Sequence, residues 1–354
     1  MMENVLNYKI FYLTGWSNPR IHHSFGGNGK WLNEPLKKDT RKKNLYYFET
    51  NVNKSIEFVF CNESKKYWDN NSGKNYKIKE KGEECIVFKN TIVTINPGSK
   101  GNSFVFSIDL DGTLLGDGLA LKEFEICWLK HCFFDPTKLL VYNTGRNFKS
   151  SVSILKENFA LFPDVFINSC GTEIYIYDPI KLDYEMEETW KQIQFVKFPI
   201  IDIEESLKKY SSWLLNININ ELRISFTAKY EDLNKNMAQL LELRNLYAGK
   251  RLDVLISGSG DYRYVDILSS EGGKGKALRH LMTTLKMNSS LSYAFGDSLN
   301  DVDMLELANF SIVVSNLQED LIRYIVEKKL TNIEFSQFNN ANAILNKLKG
   351  IIGI

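Results

Sequence analysis

The sequence predicts a multidomain chain, with a β-sandwich first and then an α/β domain that carries an inserted α+β segment. Up to about residue 95, apolar residues recur in short runs of strand length with almost no helical period. From residue 104 onward, apolar runs typical of buried parallel strands alternate with helical patterns. Between residues 175 and 263 this alternation is interrupted by helices and strands of different spacing. These three observations define the predicted fold class.

Length and composition exclude several classes of partner. The chain has 354 residues, 44% hydrophobic and 13% aromatic, which is enough for two or three packed cores. Its net charge of +1 gives no general attraction to nucleic acid or to an anionic membrane, so neither is a predicted partner. No apolar run approaches the ~18 residues of a membrane span, and the first residues lack the pattern of a secretory signal. The five cysteines have no framework spacing, so we expect a reducing, cytoplasmic location.

Short apolar segments organise the first hundred residues. In Ser55–Cys61, for example, the apolar side chains alternate onto one face. Turns rich in Gly and Asn separate the segments, which predicts an immunoglobulin-like β-sandwich over residues 1–98 and a linker at 99–103. The predicted strands are Tyr8–Tyr12, Arg20–Phe25, Leu45–Glu49, Ser55–Cys61, Cys85–Lys89 and Thr91–Ile95.

Two tryptophans of this region stand in polar surroundings. Trp31 lies in a glycine-rich loop, and Trp68 begins a run of Asp and Asn that reaches Asn71. An indole ring stacks on the apolar face of a sugar, while amide and imidazole groups bind its hydroxyls. His22 and His23 follow one another on a predicted strand. The region is therefore a candidate carbohydrate site. The alternative is an ordinary sandwich tryptophan beside a turn.

These stretches resemble the starch-binding modules of carbohydrate-binding family 25, over residues 8 to about 95. The motifs that carry the resemblance are Ile21–Ser24, Gly26–Trp31, Ile56–Phe60 and Trp68–Tyr76. Modules of that family hold α-glucan with one histidine and two tryptophans, so the resemblance implies starch or another α-glucan as a partner. The implied carbohydrate-binding residues are His22, Trp31, Trp68 and Asn71. His23 remains the alternative histidine.

A pair of carboxylates follows the first buried strand of the α/β domain. Phe104–Ile108 is apolar, and Asp109 and Asp111 come directly after it. Alternate residues point the same way, and strand ends of this kind bind ligands in open α/β sheets. Two close carboxylates repel unless a cation or a shared proton compensates, and oxygen ligands favour Mg²⁺. One carboxylate can attack phosphorus and the other can transfer protons. The alternative is a capped turn with a solvated Asp pair.

Two later segments add groups that bind phosphate. The strand Leu139–Asn143 ends in Thr144 and Gly145, whose hydroxyl and backbone N–H groups can hold phosphate oxygens. We expect Tyr264–Leu268 to return to the same sheet. Lys274 follows it in a glycine-rich helix start and would supply a cation to the phosphate.

A further acidic pair completes the set. Asp297 and Asp301 follow the predicted strand Leu291–Phe295. Together with Asp109 and Asp111 they provide the nucleophile and metal ligands that phosphoryl transfer requires, while lysine and threonine neutralise the phosphate oxygens. The sequence therefore predicts a phosphatase active site.

The motif order resembles the haloacid dehalogenase superfamily of phosphatases, over residues 104 to about 316. The inserted segment resembles the subclass that contains Cof-type, mannosyl-phosphoglycerate and sucrose-phosphate phosphatases. The stretches most like sucrose-phosphate phosphatases are Asp109–Leu121, Asn143–Arg146 and Asn168–Ile174. The resemblance implies a Rossmann-like core over residues 104–174 and 264–354 with an α+β cap over 175–263.

The same resemblance implies a role for each motif residue. Asp109 would be the nucleophile and Asp111 the acid and base. The implied phosphate-binding residues are Thr144, Gly145 and Lys274. The implied Mg²⁺ ligands are Asp109, Asp111, Asp297 and Asp301.

The predicted function is that of a Mg²⁺-dependent phosphoric monoester hydrolase that acts on a small sugar phosphate such as sucrose-6-phosphate. The N-terminal module would localise it to starch, so association with starch granules is expected beside the cytoplasmic location. One alternative is a phosphatase for phosphorylated glucan or for another sugar phosphate such as trehalose-6-phosphate. The other is a non-catalytic, glucan-binding sensor of sugar phosphates.

Overall fold

The structure of the chain is a computed structural model. The residues it describes are 7–27, 29–52, 54–79, 84–96, 103–208, 212–242, 252–258, 260–287 and 290–354. Apart from Ser103, the predicted linker at 99–103 lies outside the described residues. The chain divides into two compact units, of which the first comprises residues 1–100, 125–136 and 177–183 and the second the remainder.

The first unit is rich in strands. They are β1 (Asn7–Leu13), β2 (Arg20–Phe25), β3 (Leu32–Pro35), β4 (Lys37–Lys38), β5 (Leu45–Asn51), β6 (Ile56–Cys61), β7 (Trp68–Asp69), β8 (Tyr76–Ile78), β9 (Glu84–Phe88) and β10 (Thr91–Thr94). Within the described residues, one five-stranded sheet has the order β10-β9-β1-β5-β4. The other contains β3-β2-β6-β7, with β8 paired to β6. The predicted strand-rich N-terminal region is confirmed.

One buried cluster contains apolar side chains from both of these sheets. Ile10 and Val87 come from the sheet of β1, and Ile21 and Phe58 come from the sheet of β2. In β6, alternate residues all belong to this cluster, namely Ile56, Phe58 and Phe60.

The second unit has the alternating strands and helices that the sequence predicts, so the α/β core is confirmed. Its strands are β11 (Phe104–Ile108), β12 (Lys138–Asn143), β13 (Val165–Asn168), β14 (Glu173–Asp178), β15 (Asp183–Met186), β16 (Leu215–Asn220), β17 (Arg223–Lys229), β18 (Leu252–Ser257), β19 (Tyr262–Ser269), β20 (Leu291–Gly296), β21 (Phe310–Val313) and β22 (Ile333–Phe335). Its helices are α1 (Gly118–His131), α2 (Phe148–Glu157), α3 (Glu188–Lys197), α4 (Ile200–Lys208), α5 (Tyr230–Lys235), α6 (Met237–Glu242), α7 (Lys274–Thr284), α8 (Val302–Leu307), α9 (Glu319–Lys328) and α10 (Asn340–Ile352). Residues 125–136 and 177–183, which include parts of α1 and β14, are grouped with the first unit.

The main sheet places β11 at its centre. Among the described strands its order is β15-β14-β13-β12-β11-β20-β21-β22, and β11 is parallel to both β12 and β20. All five residues of β11 are buried, because helices cover the sheet. The carboxyl ends of β11, β12 and β20 therefore open onto the same edge, which is where the predicted catalytic motifs begin.

A second, four-stranded sheet has the order β16-β17-β19-β18 and packs against its own apolar cluster. It contains the strand at Tyr264–Leu268, which we expected in the main sheet. That expectation is wrong, because β19 pairs antiparallel with both β17 and β18. An apolar run of this length fits either sheet, so the sequence pattern does not distinguish them.

Among the described residues, no helix combines the length and the apolar character that crossing a bilayer requires.

Candidate functional site

Asp109 stands at the carboxyl end of the central strand β11. Its backbone N–H donates to the carbonyl of Phe295, at 3.1 Å, and its side chain is buried. The chain then turns through Gly112, whose φ is 81°. A Cβ added to Gly112 would lie 2.6 Å from Oδ2 of Asp297. Glycine at this turn thus allows the carboxylate of Asp297 to approach Asp109.

Lys274, the first residue of α7, is a fully buried cation between two carboxylates. Its Nζ donates to Oδ1 of Asp109 and to Oδ1 of Asp301, both at 2.6 Å, and to Oδ1 of Asn300 at 3.3 Å. Burial alone would lower the pKa of the lysine, but the two carboxylates outweigh it, so the pKa is raised. Lys274 is therefore charged at neutral pH.

Three buried carboxylates converge beside this lysine. Asp109, Asp297 and Asp301 each offer an oxygen, and these oxygens lie within 4.8 Å of one another. Burial raises the pKa of Asp109, and burial together with Asp301 raises the pKa of Asp297 to about 7. The hydroxyl of Thr113 donates to Asp297 at 3.1 Å. Such a set of oxygen donors is able to hold a divalent cation.

Asp111 lies apart from this group. Its two carboxylate oxygens accept hydrogen bonds from Nε and Nη2 of Arg146, both at 2.7 Å, and the aspartate is about half exposed (54%). This two-pronged pairing fixes the plane of the carboxylate. We predicted Asp111 both as proton-transfer group and as metal ligand. Its side chain is outside the group of Asp109, Asp297 and Asp301. Both of its oxygens accept N–H groups of Arg146, so proton transfer by Asp111 stays a prediction and requires one of these bonds to open. The sequence analysis assigned no role to Arg146.

Thr144 and its neighbour Asn143, at the end of β12, form hydrogen bonds with residues of several segments around the site. Thr144 is buried, and its hydroxyl accepts the N–H of Arg146 at 3.2 Å. The side-chain amide of Asn143 donates to Oγ of Ser107 and to the carbonyl of Lys274, at 3.1 and 3.0 Å. Asn143 therefore positions the backbone of the lysine loop. A polar residue at the end of an apolar strand was the signal that could have identified it.

The turn after β13 contacts both of the segments that we predict to bind phosphate. Ser169, Cys170 and Gly171 have φ angles of 54°, 55° and 86°, three consecutive residues in the left-handed region. The N–H of Cys170 donates to the carbonyl of Thr144 at 3.2 Å. A Cβ on Gly171 would lie 2.1 Å from the carbonyl oxygen of Gly273. The turn therefore holds the threonine loop and the lysine loop close together.

A cavity of about 610 Å³ adjoins these groups. Asp109, Asp111 and Thr144 are among the residues that line it. Residues of the four-stranded sheet also line it, among them the apolar Phe226 and Val265 and several polar side chains. The polar side chains include Asn216, Asn218, Ser225 and Thr227. Residues of the inserted segment and the predicted nucleophile therefore line the same space, which is of ligand size.

The predicted carbohydrate residues of the first unit also lie together. The ring of His22 stacks on that of Trp31, with centroids 5.0 Å apart and planes at 16°, and meets Trp68 edge-on at 5.7 Å. Trp31 and Trp68 are 36% and 45% exposed. Nε1 of Trp68 donates to the carbonyl of Lys65 at 2.8 Å, which fixes the ring. The three rings form an exposed aromatic surface.

The two histidines have different surroundings. His23 is buried, its Nε2 lies 2.9 Å from Oε1 of Glu34, and its ring packs on Phe25 and Phe48. His22 alone of the pair contacts the tryptophans.

Asn71 occupies the turn after Trp68. It has a φ of 52°, and its amide donates to the carbonyl of Asn75 at 3.0 Å, so it shapes this turn.

The parallel sheet, the carboxylate–lysine cluster and the inserted sheet define a haloacid dehalogenase-like fold. The sequence profile of the sucrose-6F-phosphate phosphohydrolase family matches residues 102–350. The chain belongs to this family. The family is one of phosphoric monoester hydrolases, which is the enzyme class that the sequence predicts.

Individual relatives agree with this assignment. A protein from Arabidopsis thaliana described as probable sucrose-phosphatase 1 is 30% identical over 238 residues, 63% of this chain and 53% of that protein. The chain thus spans about half the length of this curated relative. The sucrose-phosphatase structure from Synechocystis, in complex with sucrose and phosphate, has 23% identity and a TM-score of 0.61. The match covers 71% of this chain and 98% of that one. It establishes a shared fold.

A separate likeness involves a shorter part of the chain. The carbohydrate-binding module 25 of a Bacillus halodurans amylase is 25% identical, over 27% of this chain and 100% of its own, with a TM-score of 0.23. Our functional assignment of the first unit depends on its own side chains.

Proposed function

We propose that the chain is a phosphatase for a sugar phosphate, with sucrose-6-phosphate as the first candidate substrate. The observation that carries the proposal is the convergence of Asp109, Lys274, Asp297 and Asp301 beside a cavity of ligand size. Nucleophile, cation and additional carboxylates from loops far apart in sequence are what phosphoryl transfer requires. Family membership supports the same reaction class.

Asp109 and Asp111 divide the chemistry between them. Lys274 holds Oδ1 of Asp109, and we assign the attack on phosphorus to Oδ2. The P–O bond to the sugar breaks as the aspartyl-phosphate forms, and a protonated Asp111 gives its proton to the sugar oxygen. Asp111 then takes a proton from water, which attacks phosphorus and releases inorganic phosphate. This restores the Asp109 carboxylate and the protonated Asp111.

Magnesium fits the residues of this site. Three buried carboxylates, Asp109, Asp297 and Asp301, face the single buried ammonium of Lys274. Burial and mutual repulsion raise the pKa of Asp109 and Asp297, and a bound cation would relieve that repulsion. The three carboxylates would hold the ion, and oxygen-only ligands are the kind that Mg²⁺ prefers. When bound, Mg²⁺ supplies charge stabilisation for the transferring phosphoryl group.

The cavity favours a small substrate. Its volume of about 610 Å³ falls within the range of roughly 300–1,000 Å³ usual for small-molecule sites. Amides and hydroxyls from the inserted segment can bind sugar hydroxyls, and this favours a sugar ester over an apolar one. Phosphorylated glucan and trehalose-6-phosphate are the competing substrates, and a sensor without turnover is the competing function.

A phosphate-release screen with Mg²⁺ tests the proposal. The substrates are sucrose-6-phosphate, trehalose-6-phosphate, glucose phosphates and phosphorylated amylopectin. We expect the highest kcat/KM for sucrose-6-phosphate. Preferential release from amylopectin would assign the glucan as substrate, and binding of sugar phosphates without release would make the protein a sensor.

We also propose that the N-terminal region is an immunoglobulin-like sandwich over residues 1–98 that holds the enzyme on starch. The support is the stacked and edge-on arrangement of His22, Trp31 and Trp68, which presents flat aromatic surfaces to a sugar. Tethering would raise the local enzyme concentration at the granule without changing the catalytic groups. Asn71 would contribute by shaping the adjoining loop. Sedimentation with washed starch granules tests this assignment.

A further inference from the structure

We infer that Arg223, on the inserted sheet, is a positioning residue for the phosphate-binding loop, so that the inserted segment directly sets the geometry of Thr144. The inference rests on the proposed phosphatase function and adds to it a residue that the sequence analysis left without a role. Arg223 is the first residue of β17, is 6% exposed, and lines the cavity.

The guanidinium of Arg223 reaches out of its own sheet. Its Nη1 donates to the carbonyl oxygen of Gly145 at 2.9 Å and lies 3.0 Å from Oδ1 of Asp266. It also donates to Sγ of Cys170 at 3.8 Å. Gly145 and Cys170 belong to the two turns that build the phosphate-binding side of the cavity. Arg223 therefore connects the inserted sheet to both turns through a single nitrogen.

The hydrogen bond from Arg223 to the carbonyl of Gly145 also orients the backbone N–H of the next residue, Arg146. A peptide group is planar, and its C=O and N–H point in opposite directions. When Arg223 holds the carbonyl of Gly145, the N–H of Arg146 in the same peptide group is directed away from Arg223. That N–H donates to Oγ1 of Thr144 at 3.2 Å. The Thr144 oxygen then acts as acceptor on one side, and its own O–H proton is left for donation to a phosphate oxygen.

Stability alone does not account for this arginine. Nε of Arg223 is buried and has no hydrogen-bond partner among the described residues. A buried ion pair such as Arg223–Asp266 is commonly replaced by apolar residues at no loss of stability, and an unpaired buried donor adds a further penalty. Both observations indicate that the arginine is placed for the loop it contacts.

The test compares Arg223→Met with Arg263→Met, which removes an arginine of the same sheet that does not line the cavity. Each is assayed on a sugar phosphate and on p-nitrophenyl phosphate, with inorganic phosphate as competitive inhibitor. Arg223→Met should reduce kcat/KM for both esters by the same factor, roughly 10- to 100-fold, because misplacement of a contact group by about 1 Å has effects of that size. The inhibition constant for phosphate should rise at least several-fold. Arg263→Met should change neither.

A loss confined to the sugar phosphate would make Arg223 a sugar contact and overturn the inference, as would unchanged kinetics on both esters. The double variant Arg223→Met with Asp266→Leu separates positioning from folding. We expect it to recover the melting temperature of the unaltered protein but not its activity, and recovery of both would overturn the inference. If no ester is hydrolysed at all, the proposed function fails, while phosphate binding measured by calorimetry still tests Arg223.

Discussion

The two candidate sites of the molecule differ in physical character, because one is exposed and aromatic and the other is buried and charged. In the first unit, His22, Trp31 and Trp68 form an exposed, aromatic surface whose rings are positioned before any ligand arrives. In the second unit, Lys274 and the carboxylates around it are almost completely buried and highly charged. A surface of this first kind gains affinity from shape and apolar contact. The buried site depends on charge compensation, which makes it sensitive to single charges and to bound cations.

The largest expected effect comes from the nucleophile. Asp109→Asn removes the attacking carboxylate, so kcat should fall by about 10⁴-fold or more. Retention on starch should not change, because Asp109 has no part in the aromatic surface. Phosphate release and granule sedimentation measure the two outcomes. Asp261→Asn, an exposed aspartate, is the matched control. Residual turnover within tenfold of the unaltered protein would eliminate Asp109 as nucleophile.

Removal of divalent cations should lower the phosphatase activity and leave starch binding unchanged, and this test needs no mutation. After treatment with EDTA, activity should fall by roughly 10³-fold, since a metal ion supplies several kcal/mol to such reactions. Added Mg²⁺ should restore it, and starch retention should stay constant throughout. Full activity in EDTA would contradict the assignment of Asp109, Asp297 and Asp301 as ligands.

Loss of the aromatic surface should weaken starch binding and leave the phosphatase activity unchanged. Trp31→Ala combined with Trp68→Ala removes two stacking rings, and the affinity for starch should fall roughly 100-fold. Kinetics on a small sugar phosphate should be unaltered. Phe159→Ala, which removes a ring that is 77% exposed in the second unit, is the control. Unchanged sedimentation with granules would refute the glucan-binding assignment.

A smaller effect is expected when the positive charge at position 146 is kept and the planar guanidinium is replaced by an ammonium group. Arg146→Lys retains a cation beside Asp111 and loses the two-pronged pairing, so kcat should fall roughly 10-fold. Ser150→Ala is the control, because it removes only the third hydrogen bond of the guanidinium and leaves both bonds to Asp111 in place. If the two variants have equal kcat values, the orientation of Asp111 does not depend on the guanidinium.

The smallest effect concerns the pH dependence of starch retention. Burial, with contributions from His23 and Lys65, lowers the pKa of His22, so the folded protein favours the neutral ring. For a histidine with a lowered pKa, the associated stability is present above the unfolded pKa of about 6.5 and is lost as the pH falls through the lower folded value. Retention should be constant from pH 8 to 6.5 and decline below. Stronger retention at low pH would show that the charged ring binds.

Much of the fold was predictable where the sequence pattern is local. The strand at Phe104–Ile108 was predicted with the bounds that the structure has, because a short apolar run that ends at charged residues has few other interpretations. The two-residue strand β7 gives no periodicity and was missed. β19 was assigned to the wrong sheet, because strand pairing is decided by contacts that a single strand does not encode.

Site residues were likewise predictable where a local sequence motif marks them, and not where only tertiary contacts do. Asp109, Lys274, Asp297 and Asp301 follow recognisable motifs, and the structure brings them together. Arg223 had no such signal, since its partner Gly145 is 78 residues away and belongs to another structural segment. Its role depends on tertiary structure alone.

The contact between Gly171 and Gly273 has a consequence for variation in this protein. Neither residue has a side chain, yet the space for even one methyl group at position 171 is filled by the backbone of the other turn. We expect an alanine there to push the lysine away from the threonine and to inactivate the enzyme while every chemically active group is still present. A survey of inactivating substitutions would therefore include positions with no functional group at all.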